Sequence, residues 1–190
     1  GTYSSSVIRD CTFGKCTFCR YNGPELSFSI MNVKKSVDEY ERLINEYKVK
    51  EIFDEIKLSK ELIRFPSVTP VDAGAIKFLS KKLKSLGFKC KVLEFKDKKN
   101  KPIKNLYARL GSKQPNICYA GHTDVVPPGN YKDWTVNPFK PIIKKNYLIG
   151  RGANDMKSSI ACFTAAVSKY LKNNPKINGS ISFLITGDEE

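Results

Sequence analysis

Short apolar runs alternate with helix-like segments over residues 56–190, and this alternation restricts the fold more than any other feature of the sequence. The runs Ile117–Ala120 and Ile181–Ile185 are almost wholly apolar, as is typical of strands buried on both faces. Residues 156–171, between them, are rich in Ala, Ile, Phe and Val, which predicts a buried helix. The pattern predicts an α/β sandwich built on a mixed sheet, with Ile117–Ala120 as a central strand.

The remaining elements follow from capping residues and periodicity. Two further helices are predicted, one over residues 56–64 and one that begins at Asp72 and ends at Gly87. Three further strands are predicted, at Phe88–Val92, Leu106–Leu110 and Ile142–Ile149. In the first 55 residues the sequence predicts one helix over Ser36–Tyr47 and one short strand over Val49–Phe53. The chain therefore divides near residue 55 into a short first segment and a longer α/β segment.

The chain is basic, but its charge is scattered. The 190 residues contain 33 Lys and Arg against 19 Asp and Glu, a net charge of +14, and all of the excess lies in residues 56–190. No stripe of aromatic side chains accompanies these lysines, so they predict a solvated surface rather than a nucleic-acid site. A basic module that binds nucleic acid is the alternative, and it would show strongly salt-dependent association. No apolar run approaches the roughly 18 residues of a membrane span, which predicts a soluble, cytoplasmic protein without a membrane partner.

Acidic side chains and the single histidine are concentrated after the predicted strands and in one glycine-rich turn. The residues concerned are His122, Asp124, Asp155, Asp188, Glu189 and Glu190. Open α/β sheets bind ligands just outside the carboxyl ends of their strands. A metal-binding histidine usually donates its second ring N–H to a carboxylate, and Asp124 faces the same side as His122 if the backbone between them is extended. Adjacent acids repel one another unless a cation offsets the repulsion, and they can divide the work of binding metal and moving a proton.

Four motifs carry a specific resemblance to a known family: RFPSVTP at 64–70, GHTDVVPPG at 121–129, GRGANDMK at 150–157 and ITGDEE at 185–190. In this order they resemble the motifs of the di-zinc aminoacylase and carboxypeptidase family, whose members hydrolyse amide bonds. The resemblance implies that His122 is a ligand of one zinc (or cobalt) ion, that Glu190 is a ligand of the other, and that Asp155 bridges both. It also implies that Glu189 is the general base and acid, that Asp124 orients His122, and that the Asp155–Met156 peptide bond is cis.

The same resemblance implies parts that are not in this sequence. Family members take a further acidic ligand and a distant histidine from sequence beyond the position of Glu190, and they carry a separate lid and dimerisation domain. We therefore expect residues 56–190 to be the amino-terminal part of a catalytic domain, and the 190-residue chain to be inactive. The full-length parent is expected to be a homodimer that acts on a small-molecule substrate. Which acyl group this deacylase removes stays open between related members of the family.

Three cysteines, Cys11, Cys16 and Cys19, lie within nine residues of the first segment. Three thiolates on a four-iron cluster leave one iron open, whereas a closed structural zinc site would take a fourth ligand. The spacing of Cys16 and Cys19, followed by a predicted helix and strand, resembles the start of radical S-adenosylmethionine enzymes, although the gap after Cys11 is one residue longer than is common there. The resemblance implies an iron-sulfur cluster and S-adenosylmethionine as cofactors of a barrel fragment over residues 1–55. An accidental cluster of thiols is the alternative.

Overall fold

The fold is taken from a computed structural model that describes residues 27–29, 53–96, 102–174 and 177–190. In chain order the elements are β1 (Ser27–Ser29), α1 (Glu55–Ile63), α2 (Ala75–Ser85), β2 (Lys89–Phe95), β3 (Ile103–Gly111), β4 (Asn116–His122), β5 (Ile142–Lys144), β6 (Tyr147–Ile149), α3 (Lys157–Asn173) and β7 (Ser180–Thr186). The helix predicted over 36–47 and most of the strand predicted over 49–53 lie outside the described residues. Within the described residues, no helix has both the length and the apolar composition needed to cross a membrane.

Helices α1 and α2 begin and end close to where the capping residues predict. The Asp54 side chain accepts a hydrogen bond from the backbone N–H of Lys57 at 2.6 Å, which caps α1. The Asp72 side chain likewise accepts from the backbone N–H of Ile76 at 2.8 Å at the start of α2, and Gly87, with φ +92°, follows its end. Each helix buries an apolar stripe against the rest of the fold, formed by Leu58, Leu62, Ile76, Leu79 and Leu83.

The larger sheet is mixed, as predicted, and its strand order is β2-β3-β7-β4. Strand β7 lies between β3 and β4, antiparallel to the first and parallel to the second. The prediction that Ile117–Ala120 is a central strand is wrong for this sheet, because β4 forms one of its edges. Cys118 and Ala120 make the run apolar in composition, but both residues are exposed. These two small apolar side chains therefore gave the run the composition of a strand buried on both faces, although one face is exposed.

The core lies between this sheet and the helices. Phe183 of β7 is fully buried, and its ring lies 5.4 Å from that of Phe88, 5.9 Å from that of Tyr119 and 5.0 Å from that of Phe163, centroid to centroid. Helix α3 packs against α1 and contributes Phe163 to this cluster. The opposite face of the sheet carries exposed apolar residues, among them Leu184, which is 45% exposed. In the described part of the chain, the helices thus cover one face of the sheet.

A second, three-stranded sheet has the order β1-β6-β5. The prediction of one strand over Ile142–Ile149 is wrong, because the backbone turns back at Lys145 and Asn146, whose φ angles are 48° and 64°. Two consecutive positive φ angles are characteristic of the tight turn that joins a two-residue hairpin. Strand β1, from the first 55 residues, pairs antiparallel with β6 and places Ser27 opposite Ile149. The division of the chain at residue 55 stays a prediction.

Candidate metal centre

The predicted site residues lie at the carboxyl ends of two neighbouring parallel strands, β4 and β7, and in the turn before α3. In the register of β4 and β7, His122 pairs with Thr186, so the chain leaves both strands at the same level. Glu189 and Glu190 follow three and four residues after Thr186. Asp155 reaches the same place from the turn that precedes α3, and the Asp155–Met156 peptide bond is cis, as expected.

The side chains of His122, Asp155 and Glu190 converge. Their ligand atoms all lie within 4.8 Å of one another. The Nε2 atom of His122 is 3.1 Å from Oδ1 of Asp155 and 3.7 Å from Oε2 of Glu189. His122 is 5% exposed, whereas the Glu189 side chain is 52% exposed. The cluster therefore has a buried imidazole at its base and a solvent-facing carboxylate at its mouth.

Asp124 is fully buried behind this cluster and contacts His122, the last residue of β4, and the turn that follows β7. Nδ1 of His122 lies 3.1 Å from the backbone oxygen of Asp124 and 3.5 Å from its Oδ1, the latter an ion-pair distance rather than a hydrogen bond. Oδ2 of Asp124 accepts hydrogen bonds from the backbone N–H groups of Glu189 at 2.8 Å and Glu190 at 3.0 Å. Asp124 thus lies against the imidazole, and that it orients His122 stays a prediction. Its carboxylate also holds the turn that carries both glutamates, which the sequence did not indicate.

The protonation of the cluster reflects its crowded acids. Burial by itself lowers the pKa of His122, but the hydrogen bonds and charges of Asp124 and Asp155 outweigh burial and raise this pKa to about 10. Burial, and then repulsion from Asp155, raises the pKa of Glu190 to about 7. Burial alone would raise the pKa of Asp124, but contact with His122 and the two backbone N–H groups lowers it below its ordinary value. The cluster thus holds protons that a divalent cation would displace.

The donor set fits a zinc ion. One imidazole nitrogen and carboxylate oxygens are ligands that zinc accepts, and three protein ligands are usual in a catalytic site. Oδ1 of Asp124 is buried without a hydrogen-bond partner among the described residues, which is consistent with a carboxylate placed to balance an imidazole polarised by metal. In the described part of the chain, His122, Asp155 and Glu190 are the residues whose ligand atoms lie close enough together to hold a metal ion.

Zinc affinity is expected to depend steeply on pH. The ion needs a neutral imidazole and an ionised carboxylate, while the free chain keeps protons on His122 up to a pKa of about 10 and on Glu190 up to about 7. The affinity should rise about tenfold per pH unit above roughly pH 7.5 and close to a hundredfold per unit below about pH 6.5, because one or two protons are displaced. Isothermal titration in buffers of different ionisation enthalpy counts these protons.

Thiolates compete for zinc, so this titration uses the chain with Cys11, Cys16 and Cys19 changed to serine. We refer to this variant as the serine background. An affinity that stays constant between about pH 6 and 8 would contradict the protonation assigned to His122 and Glu190.

Three residues with structural roles at the site were not identified from the sequence. Lys157 follows the Asp155–Met156 bond and is fully buried, with Nζ donating to the backbone oxygen of Phe65 at 2.7 Å. Ser67 donates to the backbone oxygen of Thr123 at 2.6 Å, and the hydroxyl of Thr69 donates to Asp188. The sequence indicated these residues only by their position, since all three lie inside the motifs at 64–70 and 150–157. Cys11, Cys16 and Cys19 lie outside the described residues.

Comparison with known proteins identifies the class of this segment. Residues 118–190 match the sequence profile of the family described as Peptidase family M20/M25/M40. Human carnosine dipeptidase 1 has a similar fold, with a TM-score of 0.65 and 22% sequence identity over 83% of this chain and 34% of that protein. The segment that carries the candidate metal centre is thus similar in sequence to Peptidase family M20/M25/M40, and its fold is similar to that of a dipeptidase.

Two curated relatives, each named succinyl-diaminopimelate desuccinylase, are much more similar in sequence. The Pelagibacter ubique protein is 70% identical over 138 residues, which are 73% of this chain and 36% of the relative. The Ehrlichia canis protein is 58% identical over 137 residues, or 72% of this chain and 35% of the relative. The chain therefore spans about a third of the length of the curated relatives it matches.

Proposed function

We propose that residues 56–190 are part of the catalytic domain of a zinc-dependent desuccinylase. The substrate would be N-succinyl-LL-2,6-diaminopimelate, and the products would be succinate and LL-2,6-diaminopimelate, an intermediate on the route to lysine. The observation that carries the proposal is the convergence of His122, Asp155 and Glu190 within 4.8 Å, in a segment 70% identical to a relative of that name. The alternative is that the protein is a related deacylase that removes a different acyl group, such as the acetyl group of acetylornithine.

The residues divide the reaction between them. His122 and Glu190 would each hold one zinc ion and Asp155 would bridge the two, while Asp124 keeps Nε2 of His122 turned toward the metals. The bound ions supply Lewis-acid polarisation of the succinyl amide and lower the pKa of the attacking water. Glu189 faces the same space with Oε2 and is half-exposed. Its carboxylate takes the proton from water and gives it to the leaving amine nitrogen.

The test measures hydrolysis with and without the rest of the protein. The 190-residue chain with zinc is expected to release no succinate, because three ligand residues cannot give each of two catalytic ions its usual three. A longer protein that contains this chain should hydrolyse N-succinyl-diaminopimelate and act poorly on N-acetylornithine. In that protein, Glu189→Gln should lower kcat by about a thousandfold or more and leave the zinc content unchanged.

Two results would contradict the proposal. One is succinate release at full rate by the Glu189→Gln variant of the longer protein, which would remove the proton-transfer role. The other is a preference for N-acetylornithine, which would transfer the assignment to the alternative deacylase. Glu94→Gln, a change to an exposed carboxylate on the edge strand β2, serves as the control and should retain the parental rate.

The resemblance of residues 1–55 to radical S-adenosylmethionine enzymes stays a prediction, because the three cysteines lie outside the described residues. If that segment is competent, anaerobic reconstitution with iron and sulfide should give a brown chromophore that is lost when Cys11, Cys16 and Cys19 are changed to serine. The homodimeric state of a full-length parent stays a prediction as well.

A further inference from the structure

Lys157 is a fully buried lysine beside the candidate metal ligands, and the mechanism above does not use it. Its side chain has no exposed surface, although it is the first residue of α3. Taking an ammonium group out of water costs several kcal/mol, so a buried lysine usually has a specific reason to be retained. Burial lowers the pKa of Lys157 to about 7, and the charges of Asp124 and Asp72 oppose this shift.

The side chain of Lys157 runs through the place where three loops meet. Its backbone N–H donates to Gly152 at 3.0 Å and closes the turn that carries Asp155. Gly152 has φ +80°, and a Cβ atom there would lie 2.6 Å from Cγ1 of Val125 and 3.2 Å from Cδ of Lys157. A side chain at position 152 would therefore collide with Val125 and crowd the stem of Lys157, which occupies part of the space that this glycine leaves.

The ammonium end of Lys157 is hydrogen-bonded to a loop that contacts the segment after β4 and the turn after β7. We call residues 65–69 the clasp loop. Nζ of Lys157 donates to the backbone oxygen of Phe65 at 2.7 Å. In the segment that follows β4, the backbone oxygen of Thr123 accepts from the Ser67 hydroxyl, and the backbone N–H of Val125 donates to the backbone oxygen of Ser67. The hydroxyl of Thr69 donates to Asp188, the residue before Glu189. Lys157 is thus connected to the Asp155 turn directly and to the other two ligand-bearing turns through the clasp loop.

We propose that Lys157 is a positioning residue that, by holding the clasp loop against the Asp155 turn, sets the affinity and geometry of the metal centre. The inference rests on the proposed function, because it assumes that the cluster binds a divalent cation. Lys157 itself does not contact substrate or metal in this role.

The test replaces Lys157 by methionine, which keeps most of the side-chain volume and removes the donor and the charge. In the serine background, Lys157→Met is expected to bind Zn²⁺ and Co²⁺ about tenfold to a hundredfold more weakly, the range typical of changes to the groups that support metal ligands. The visible absorption of bound Co²⁺ should change in position or intensity, since it reports coordination geometry. The melting temperature without metal should shift by no more than about 5 °C, because loss of the buried charge offsets loss of the hydrogen bond.

Lys172→Met is the matched control, since Lys172 is an exposed lysine near the other end of the same helix. The control should bind metal as the parent does. Equal affinity and an identical Co²⁺ spectrum in Lys157→Met and the parent would overturn the inference while leaving the proposed function intact. A parent chain that binds no metal would overturn the proposed function, and this inference with it.

If Lys157→Met fails to unfold cooperatively, Ser67→Ala takes its place. This change removes the hydrogen bond from the Ser67 hydroxyl to Thr123, keeps the backbone bond between Ser67 and Val125, and leaves α3 untouched. The inference requires the same direction of change, weaker metal binding with an altered Co²⁺ spectrum. Parental affinity in a cooperatively folded Ser67→Ala variant would overturn it.

Discussion

Changing His122 to alanine is expected to lower the Zn²⁺ affinity of the serine background by at least about a hundredfold, because one of three convergent ligands is lost. His122 is the sole histidine of the chain, so no neighbouring imidazole can replace it. Its ring also stands between carboxylates, with Nε2 3.1 Å from Asp155 and Nδ1 3.5 Å from Asp124. Competition with a chromogenic chelator measures the effect.

Two comparisons make this result specific to the proposed centre. Glu94→Ala removes an exposed acid whose ion pair is with Lys96, and it should leave the zinc affinity unchanged. If His122→Ala binds zinc as tightly as its parent, the ion lies elsewhere. With Cys11, Cys16 and Cys19 already removed, such a result would rule out the centre itself.

Changing Phe183 to alanine is expected to destabilise the chain by about 3 to 5 kcal/mol, the usual cost of a large aromatic deletion in a core. Phe183 is fully buried on β7, and its ring contacts those of Phe88, Tyr119 and Phe163. The loss is a large part of a typical domain stability of about 5 to 15 kcal/mol, so much of the variant should be unfolded at 37 °C. The midpoint of urea unfolding, followed by circular dichroism, gives the change.

Phe95→Ala is the matched control, because Phe95 is 55% exposed on the edge strand β2. It should change the free energy of unfolding by less than about 1 kcal/mol. Comparable losses from both substitutions would show that the core is not organised around β7. A shift confined to Phe183→Ala would agree with the sheet order described above.

The residues of the site were predictable because strand ends concentrate ligands. His122 ends β4, Asp155 lies in the turn before α3 and Glu190 lies in the turn after β7, and the strand ends and the family motifs that point to them are features of local sequence. Helices α1 and α2 were predictable for a similar reason, since their apolar stripes and the Asp72 cap of α2 are features of local sequence, whereas the Asp54 cap of α1 was not predicted.

What the sequence did not reveal depends on contacts between distant residues. The insertion of β7 between β3 and β4 is a pairing of segments far apart in the chain, and composition does not specify it. The turn at Lys145 and Asn146 contains no glycine, so the strongest hairpin signal was missing. Lys157 would be read as a solvated side chain in any helical pattern, and only the assembled loops show that it is buried.

The parallel register of β4 and β7 sets the distance between His122 and Glu190 in the candidate metal centre. Each residue of strand advances the chain by about 3.3 Å, so a slip of two residues between these strands would carry His122 roughly 7 Å away from Glu190. Misaligned strands would then offer a cation isolated donors in place of a chelating group. Divalent ions should therefore bind and stabilise the sheet in its native register as it forms. Adding zinc during refolding should raise the yield of native protein.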